Sequence, residues 1–352
     1  MEQILDSEND LEQRLHTYEP LWNEWVLTGK IIGKGEYTTD FEICRAANGT
    51  CEYAVLKAVN ITAGDSDDVS LPISIVEQLR NSNRMIKHDN MVSYDDDLVY
   101  GVYDNNGKII SYDLLLREEY LTSILNIECS TFSSDESLLL RLAEDILTAL
   151  LYSHEIGLYH GGIKPQNIFV ASSGSFKLAD FAVREIFSAL IPNHLEDSQS
   201  ITYLSPETAV TDGIGQSTAA SDIYSFGLVL YYLLNNGTVP FSSNEGDTSA
   251  AVSKRLSGEN ILPPENGSKV LVNIVLKALA FRPEDRYRNA GEMLADIKAL
   301  KEKTLDSTPQ YTENNSRTES SYFTTTINAD AETSFLRGPD KLYPDGVYSG
   351  SF

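Results

Sequence analysis

The spacing of apolar residues changes once along this 352-residue chain, near residue 120, and that change restricts the fold more than any other feature. Before it, β-branched and aromatic runs are short and cut by turn residues. Val26, Ile31 and Ile32, then Phe41 and Ile43, then Tyr53 to Val59, read as three antiparallel strands, with Asn48-Gly49 as a hairpin turn. Leu71 to Ile86 reads as a helix. Two further strands fit Leu98 to Tyr103 and Ile109 to Leu116, joined at Asn105-Asn106-Gly107. After the change, Leu139, Leu142, Ile146, Leu147, Leu150 and Leu151 make one stripe of a helix from Leu138 to Ile156. Short strands at 168–170 and 176–178 flank the turn Ser172-Ser173-Gly174, and helices fit 221–234, 270–280 and 290–303. The order predicts an α+β fold of two lobes, an antiparallel sheet with one helix followed by a larger helical lobe.

Composition sets the limits of that domain. Residues 1–24 read as a polar leader, with Trp22 and Trp25 anchoring the entry to a domain over 25–303. Its first lobe is expected over about 25–118 and its second over about 122–303. From 304 to 352 Ser, Thr, Asn, Tyr and acidic residues replace apolar periodicity, which predicts a disordered tail. A formal net charge of −25 argues against nucleic acid and against an anionic membrane surface, since both are bound through Lys and Arg. A basic protein partner remains compatible with it. Cys44, Cys51 and Cys129 have no metal-ligand spacing, and a reduced compartment is the simpler reading. The N-terminus lacks the basic and apolar regions of a signal peptide, and the longest apolar run, Phe226 to Leu234, is too short to span a bilayer. A cytoplasmic protein is expected.

Seven short motifs then follow in a fixed order. They are Gly33-Lys34-Gly35, Ala54-Val55-Leu56-Lys57, the stretch from His160 to Asn167, Asp180-Phe181-Ala182, Ser205-Pro206-Glu207, the stretch from Ser221 to Gly227, and the stretch from Arg282 to Arg286. Over about residues 25–300 the series resembles the bacterial Ser/Thr protein kinases, particularly the acidic cytosolic kind found in Firmicutes. The resemblance implies ATP and Mg²⁺ as cofactors. Gly33 and Gly35 would open the nucleotide loop, and Lys57 would contact the phosphates and pair with an acid on the first large helix, for which Glu77 is the candidate. Glu119 and Leu121 would contribute to nucleotide binding, Lys164 would neutralise a transferring phosphoryl group, and Asn167 and Asp180 would supply metal oxygens. Four residues would have structural duties by the same resemblance. Glu207 and Arg286 would form a buried ion pair, Asp222 would hold the catalytic-loop backbone, and His160 would pack behind it.

The same resemblance exposes what is missing. In His160-Gly161-Gly162-Ile163-Lys164-Pro165-Gln166-Asn167, Gly162 stands where the family has its catalytic Asp and Gly161 where it has Arg. Gly162 has no side chain with which to orient or deprotonate a hydroxyl, and Gln166 is a poor base. Ala182 replaces a glycine, Thr38 the third loop glycine, Asp40 an apolar residue over the adenine, and Val55 a small alanine. Glu118 falls at the usually apolar gatekeeper place. Lys57 is a candidate partner for Asp40, and Arg117 or another cation for Glu118. These departures predict a degenerate kinase, or pseudokinase, with weak or absent ATP binding and unidentified protein partners. Two alternatives stay open: a slow Ser/Thr kinase using Mg-ATP, and transfer of another part of the nucleotide.

Overall fold

The computed structural model describes residues 11–35, 38–62, 70–85, 87–181, 183, 186, 198–209, 217–242 and 248–307. The tail expected to be disordered lies outside the described residues from 308 onward, as does Ala182. The chain divides into two units: residues 1–171 with 175–308, and residues 172–174 with 309–352. Everything below concerns the first unit.

Five strands build the first lobe: β1 (Val26–Lys34), β2 (Thr39–Ala47), β3 (Thr50–Thr62), β4 (Tyr94–Tyr103) and β5 (Ile109–Glu119). They form one antiparallel sheet in the order β1-β2-β3-β5-β4. The β2–β3 hairpin closes at Asn48 and Gly49, both with positive φ (51° and 82°), as a turn matching strand twist requires.

Strand alternation gives the sheet two different faces. On the inner face Val59, Ile61, Leu114 and Leu116 pack against Ile75, Val76 and Leu79 of α2 (Ser70–Met85). On the outer face Phe41, Ile43, Ala54, Leu56, Ala58 and Leu115 are covered by Leu15, Leu21 and Trp25. Residues before 25 therefore take part in the packing of this lobe. A helical segment over 11–17, α1, and the turn after it belong to the lobe, because Leu15 and Leu21 are fully buried against the sheet. Polar composition hid this: only a few residues of the segment are apolar, and Arg14 and Tyr18 reach inward to a polar partner, Asp113.

The second lobe packs around α4 (Glu136–Glu155) and α7 (Ala219–Leu234), with α3 (Cys129–Ser134), α5 (Ser198–Tyr203), α6 (Pro206–Ala209), α8 (Thr248–Leu256), α9 (Lys269–Ala278) and α10 (Ala290–Ser307) around them. Asp135 caps α4 by accepting from Ser137 N and Leu138 N, and Thr218 with Ser221 forms a capping box on α7. At Gly227, α7 comes so close to α9 that an added Cβ would sit 3.0 Å from that of Ala278. A small sheet of β6 (Thr122–Ser123), β7 (Ile168–Val170) and β8 (Phe176–Leu178) lies beneath the cleft. The two lobes are stitched at Asn90, whose carbonyl accepts from Leu178 N (3.0 Å), while Val92 N donates to Leu178 O (3.1 Å). Among the described residues no helix is long and apolar enough to cross a membrane.

Candidate active site

Between the lobes lies a cleft of about 460 Å³. Every residue named in the sequence analysis as a nucleotide, phosphate or metal contact reaches it, except Glu77: Gly33, Gly35, Lys57, Glu119, Leu121, Lys164, Asn167 and Asp180 all border the space. So do Asp40, Val55, Glu118, Gly162 and Gln166.

The floor of the cleft is the stretch from His160 to Asn167, held by its backbone. Asp222, 1 % exposed at the start of α7, accepts from His160 N and Gly161 N, both at 2.9 Å. His154 Nε2 meets the same carboxylate at 2.9 Å, a partner to which no motif pointed. Burial holds the His160 pKa below the usual histidine value despite the nearby Asp222. The neutral ring then fits one tautomer: Nε2 donates to Ala179 O (2.7 Å) and Nδ1 accepts from Gly162 N (3.2 Å). Gly161 has φ of 75°, a conformation glycine adopts without the Cβ penalty. Asn167 donates from Nδ2 to Gly162 O at 3.2 Å. The loop frame is thus complete around a position that has no side chain.

Glu207 and Arg286 pair through two bonds of 2.7 and 2.8 Å, with the guanidinium buried and the carboxylate one-third exposed, so the pair expected to be buried is buried on one side only. Arg286 also donates to the carbonyls of Ala280, Ala220 and Phe281 and lies over the Tyr224 ring. Burial raises the Glu207 pKa, but the guanidinium outweighs it and the carboxyl is held below its ordinary value.

The roof carries the chemistry of the cleft. Asp40 on β2 lies opposite Lys57 on β3, and Val55 lies opposite Glu118 on β5. Directly paired residues share a sheet face, and so do residues two apart, so all four point into the cleft. Lys57, 4 % exposed, forms an ion pair with Asp180 and another with Glu118 at 3.3 Å. Burial lowers the Lys57 pKa, but Asp180, Glu118 and Asp40 together hold it well above the lysine value. Asp180 is raised by burial, but Lys57, His160 and Lys164 together outweigh it and hold the carboxyl below its ordinary value. Its φ of 63° is left-handed, which Asp tolerates better than most side chains. Burial pushes Glu118 up to about 7 in spite of Lys57. Burial also raises Asp40, whose Oδ1 is buried without a hydrogen-bond partner and whose Oδ2 would lie 2.9 Å from a Cβ added at Gly33.

Two expectations are corrected here and one open alternative is resolved. Glu77 is exposed and has no ion pair with Lys57 among the described residues, because α2 turns Ile75, Val76 and Leu79 inward and leaves Glu77 on its outer side. The acid that Lys57 meets, besides Asp180, is Glu118. Of the cations expected for Glu118, the other cation, Lys57, is its partner and Arg117 is not, since adjacent strand residues face opposite ways; Arg117 lies over Trp22 and Trp25 on the outer face, 3.6 Å from Asp95. Asp40 acts on Lys57 through its charge, with no ion-pair contact between them among the described residues. Strand alternation between Leu116 and Glu118 was the one sequence signal that could have placed Glu118 on the face of Lys57. Glu119 is held outside the cleft centre by Ser93 N (2.6 Å) and Lys177 Nζ (2.7 Å).

Comparison with known proteins agrees with this architecture. A family model described as the protein kinase domain matches residues 26–296. Serine/threonine-protein kinase PknB of Mycobacterium leprae is 36 % identical over 172 residues, covering 45 % of this chain and 25 % of that protein. A probable serine/threonine-protein kinase PknB of Lactococcus lactis is 28 % identical over 253 residues, 69 % of this chain and 37 % of the relative. Serine/threonine-protein kinase PrkC of Bacillus subtilis is 35 % identical over 164 residues, 45 % of this chain and 24 % of the relative. The chain therefore spans about a quarter to a third of the length of these relatives. Two lobes, an ordered set of cleft residues and a match over most of the chain place this protein in the protein kinase domain family.

Proposed function

We propose that this chain is a pseudokinase, a kinase-fold protein that regulates or scaffolds protein partners, with weak or absent ATP binding and no efficient phosphoryl transfer. Gly162 carries this reading. The loop around it keeps the backbone bonds of a catalytic loop, yet the position that faces a substrate hydroxyl has only hydrogen, and a general base contributes about 10²–10⁴ in rate.

The cleft also fits Mg-ATP poorly. Two carboxylates already contact the ammonium of Lys57 and a third lies nearby, so an incoming phosphate meets a lysine whose charge is taken and acids that repel it. Asp180 commits Oδ1 to Lys57. Val55 adds bulk over the same slot. The net charge of −25 supports a protein partner with basic groups over nucleic acid or an anionic membrane, and goes with a cytoplasmic setting.

A slow Ser/Thr kinase is the second reading. It is favoured by Lys57, Lys164, Asn167 and Asp180 bordering one cleft, because phosphoryl transfer depends mainly on positioning and electrostatics. Transfer from γ-labelled ATP to a generic protein substrate separates the two, with Lys57→Met as background. Wild type at the background level supports the pseudokinase, and wild type well above it overturns the reading. Label from α-labelled ATP in a protein would instead mark transfer of another part of the nucleotide.

A further inference from the structure

Strand β1 does not follow its neighbour evenly. Leu27 pairs with Ile43 and Ile31 with Phe41, so Thr28, Gly29 and Lys30 all stand opposite the single residue Glu42. Gly29 has φ of 79°, and a second irregularity falls between Ile31 and Gly33. A bulge leaves residues out of the ladder and bends its strand. Residues 31–34 of the roof therefore join the rest of β1 through a weak point.

Side chains take over where the ladder fails. Glu42 Oε1 accepts from Thr28 Oγ1 at 3.0 Å, and the Glu42 carbonyl accepts from the same hydroxyl at 3.2 Å. Glu42 Oε2 accepts from Lys30 Nζ at 3.2 Å and from Tyr120 Oη at 2.8 Å. Tyr120 follows β5 at the connection between the lobes and leans on Tyr53 of β3, with ring centroids 6.2 Å apart. Glu42, Val55 and Glu118 lie opposite one another on neighbouring strands, so these bonds run across the cleft face of the sheet. Lys30 and Tyr120 both border the cleft and are both exposed, which puts them at its mouth. One carboxylate thus ties the edge strand β1 to the connection, past β3 and β5.

We propose that Glu42 is a latch across the mouth of the cleft. With its bonds to β1 and Tyr120 made, residues 31–34 are held down over the cleft. When they break, the bulge at residues 28–30 lets that segment swing out and widens the entrance. Lys30 is 59 % exposed, and ion pairs open to water contribute little, so the latch is one that opens readily. It acts on any molecule that enters the cleft, and does not depend on whether that molecule is ATP.

Hydrogen–deuterium exchange of the full chain reads the latch directly, since an amide exchanges when its segment opens. In Glu42→Ala the amides of residues 31–34 should exchange at least about tenfold faster than in wild type, the size expected for losing a hydrogen bond to a charged group. Tyr120→Phe removes one hydroxyl at the connection and should speed the same amides about threefold, roughly half a kcal/mol short of that tenfold. The double variant should be no faster than Glu42→Ala alone, because the hydroxyl works through the carboxylate. Glu52→Gln, which removes the exposed partner of Arg45 on the same hairpin, should leave residues 31–34 at the wild-type rate. Unchanged exchange in both single variants, additive effects in the double variant, or equal acceleration throughout β3 and β5 would overturn the proposal. Should Glu42→Ala fail to fold, Tyr120→Phe decides alone: faster exchange confined to β1 supports the latch, and an unchanged rate overturns it.

Discussion

Strand β5 buries two carboxylates, Asp113 and Glu118, on opposite faces of one sheet, and they are treated very differently. Asp113 is fully buried on the outer face and accepts from Arg14 Nε and Nη2 (3.0 and 3.1 Å), from Tyr18 Oη (3.0 Å) and from Asn60 Nδ2. Tyr18 in turn stacks on Tyr100 with ring centroids 3.9 Å apart. Glu118, 9 % exposed on the cleft face, shares one lysine with Asp180 and lies near a third acid. The outer carboxylate is satisfied and holds α1 and the turn after it to the sheet. The inner one is left at a charge deficit beside a cavity. A buried acid with a full set of donors is architecture; a buried acid short of donors at a cleft marks where a ligand would act.

The largest effect should come from disturbing the satisfied side. Asp113→Ala leaves Arg14 without its carboxylate and should cost about 3–5 kcal/mol, as breaking one side of a buried pair does. Denaturant unfolding measures this, and a loss below about 1 kcal/mol would mean that the outer network contributes little.

A pH dependence should come next, from the cleft side of β5. The Glu118 pKa is raised, so the folded state binds its proton more tightly than the unfolded state. The stabilisation is full below the ordinary glutamate value, near 4.5, and is lost as pH rises through about 7. The Glu118 share of the loss should be on the order of 3 kcal/mol across that window, so the loss should be smaller in Glu118→Gln than in wild type. A carbon-detected NMR titration of the Glu118 side chain gives the midpoint directly. A midpoint at or below 4.5 would contradict the effect of burial on Glu118.

A smaller loss calibrates both. Asp135→Ala removes the α4 cap, away from either face, and should cost about 1 kcal/mol without altering the pH profile. A change in that profile would show that slopes from the Glu118 variant are not specific to the cleft.

Much of this molecule was legible in its sequence. Strands β7 and β8 fall where apolar runs and a Gly turn put them, and the Glu207–Arg286 pair and the Asp222 grip on the loop follow from ordered motifs. The packing of residues 11–24 on the sheet was not legible, because burial there depends on Leu15, Leu21 and a buried Asp113 some hundred residues away, a contact no local pattern contains. Glu77 failed for a related reason. Its helix was correct, but which acid reaches Lys57 depends on helix phase relative to the sheet, and Glu118 was already on the right strand and face. Long-range polar pairings outside the ordered motifs were the unreadable part, and hydrophobic periodicity and the motifs the readable part.

The most direct measurement of the central claim is the stabilisation of the full chain by millimolar Mg-ATP, read from denaturant or thermal unfolding. A ligand at 100 times its dissociation constant stabilises a fold by about 2.7 kcal/mol, a shift too large to miss. Wild type should gain almost nothing, because the acids around Lys57 oppose the phosphates, while Asp40→Val/Glu118→Met should gain measurably. A wild type stabilised by about 2.7 kcal/mol or more, with no further gain in the folded double variant, would contradict the account.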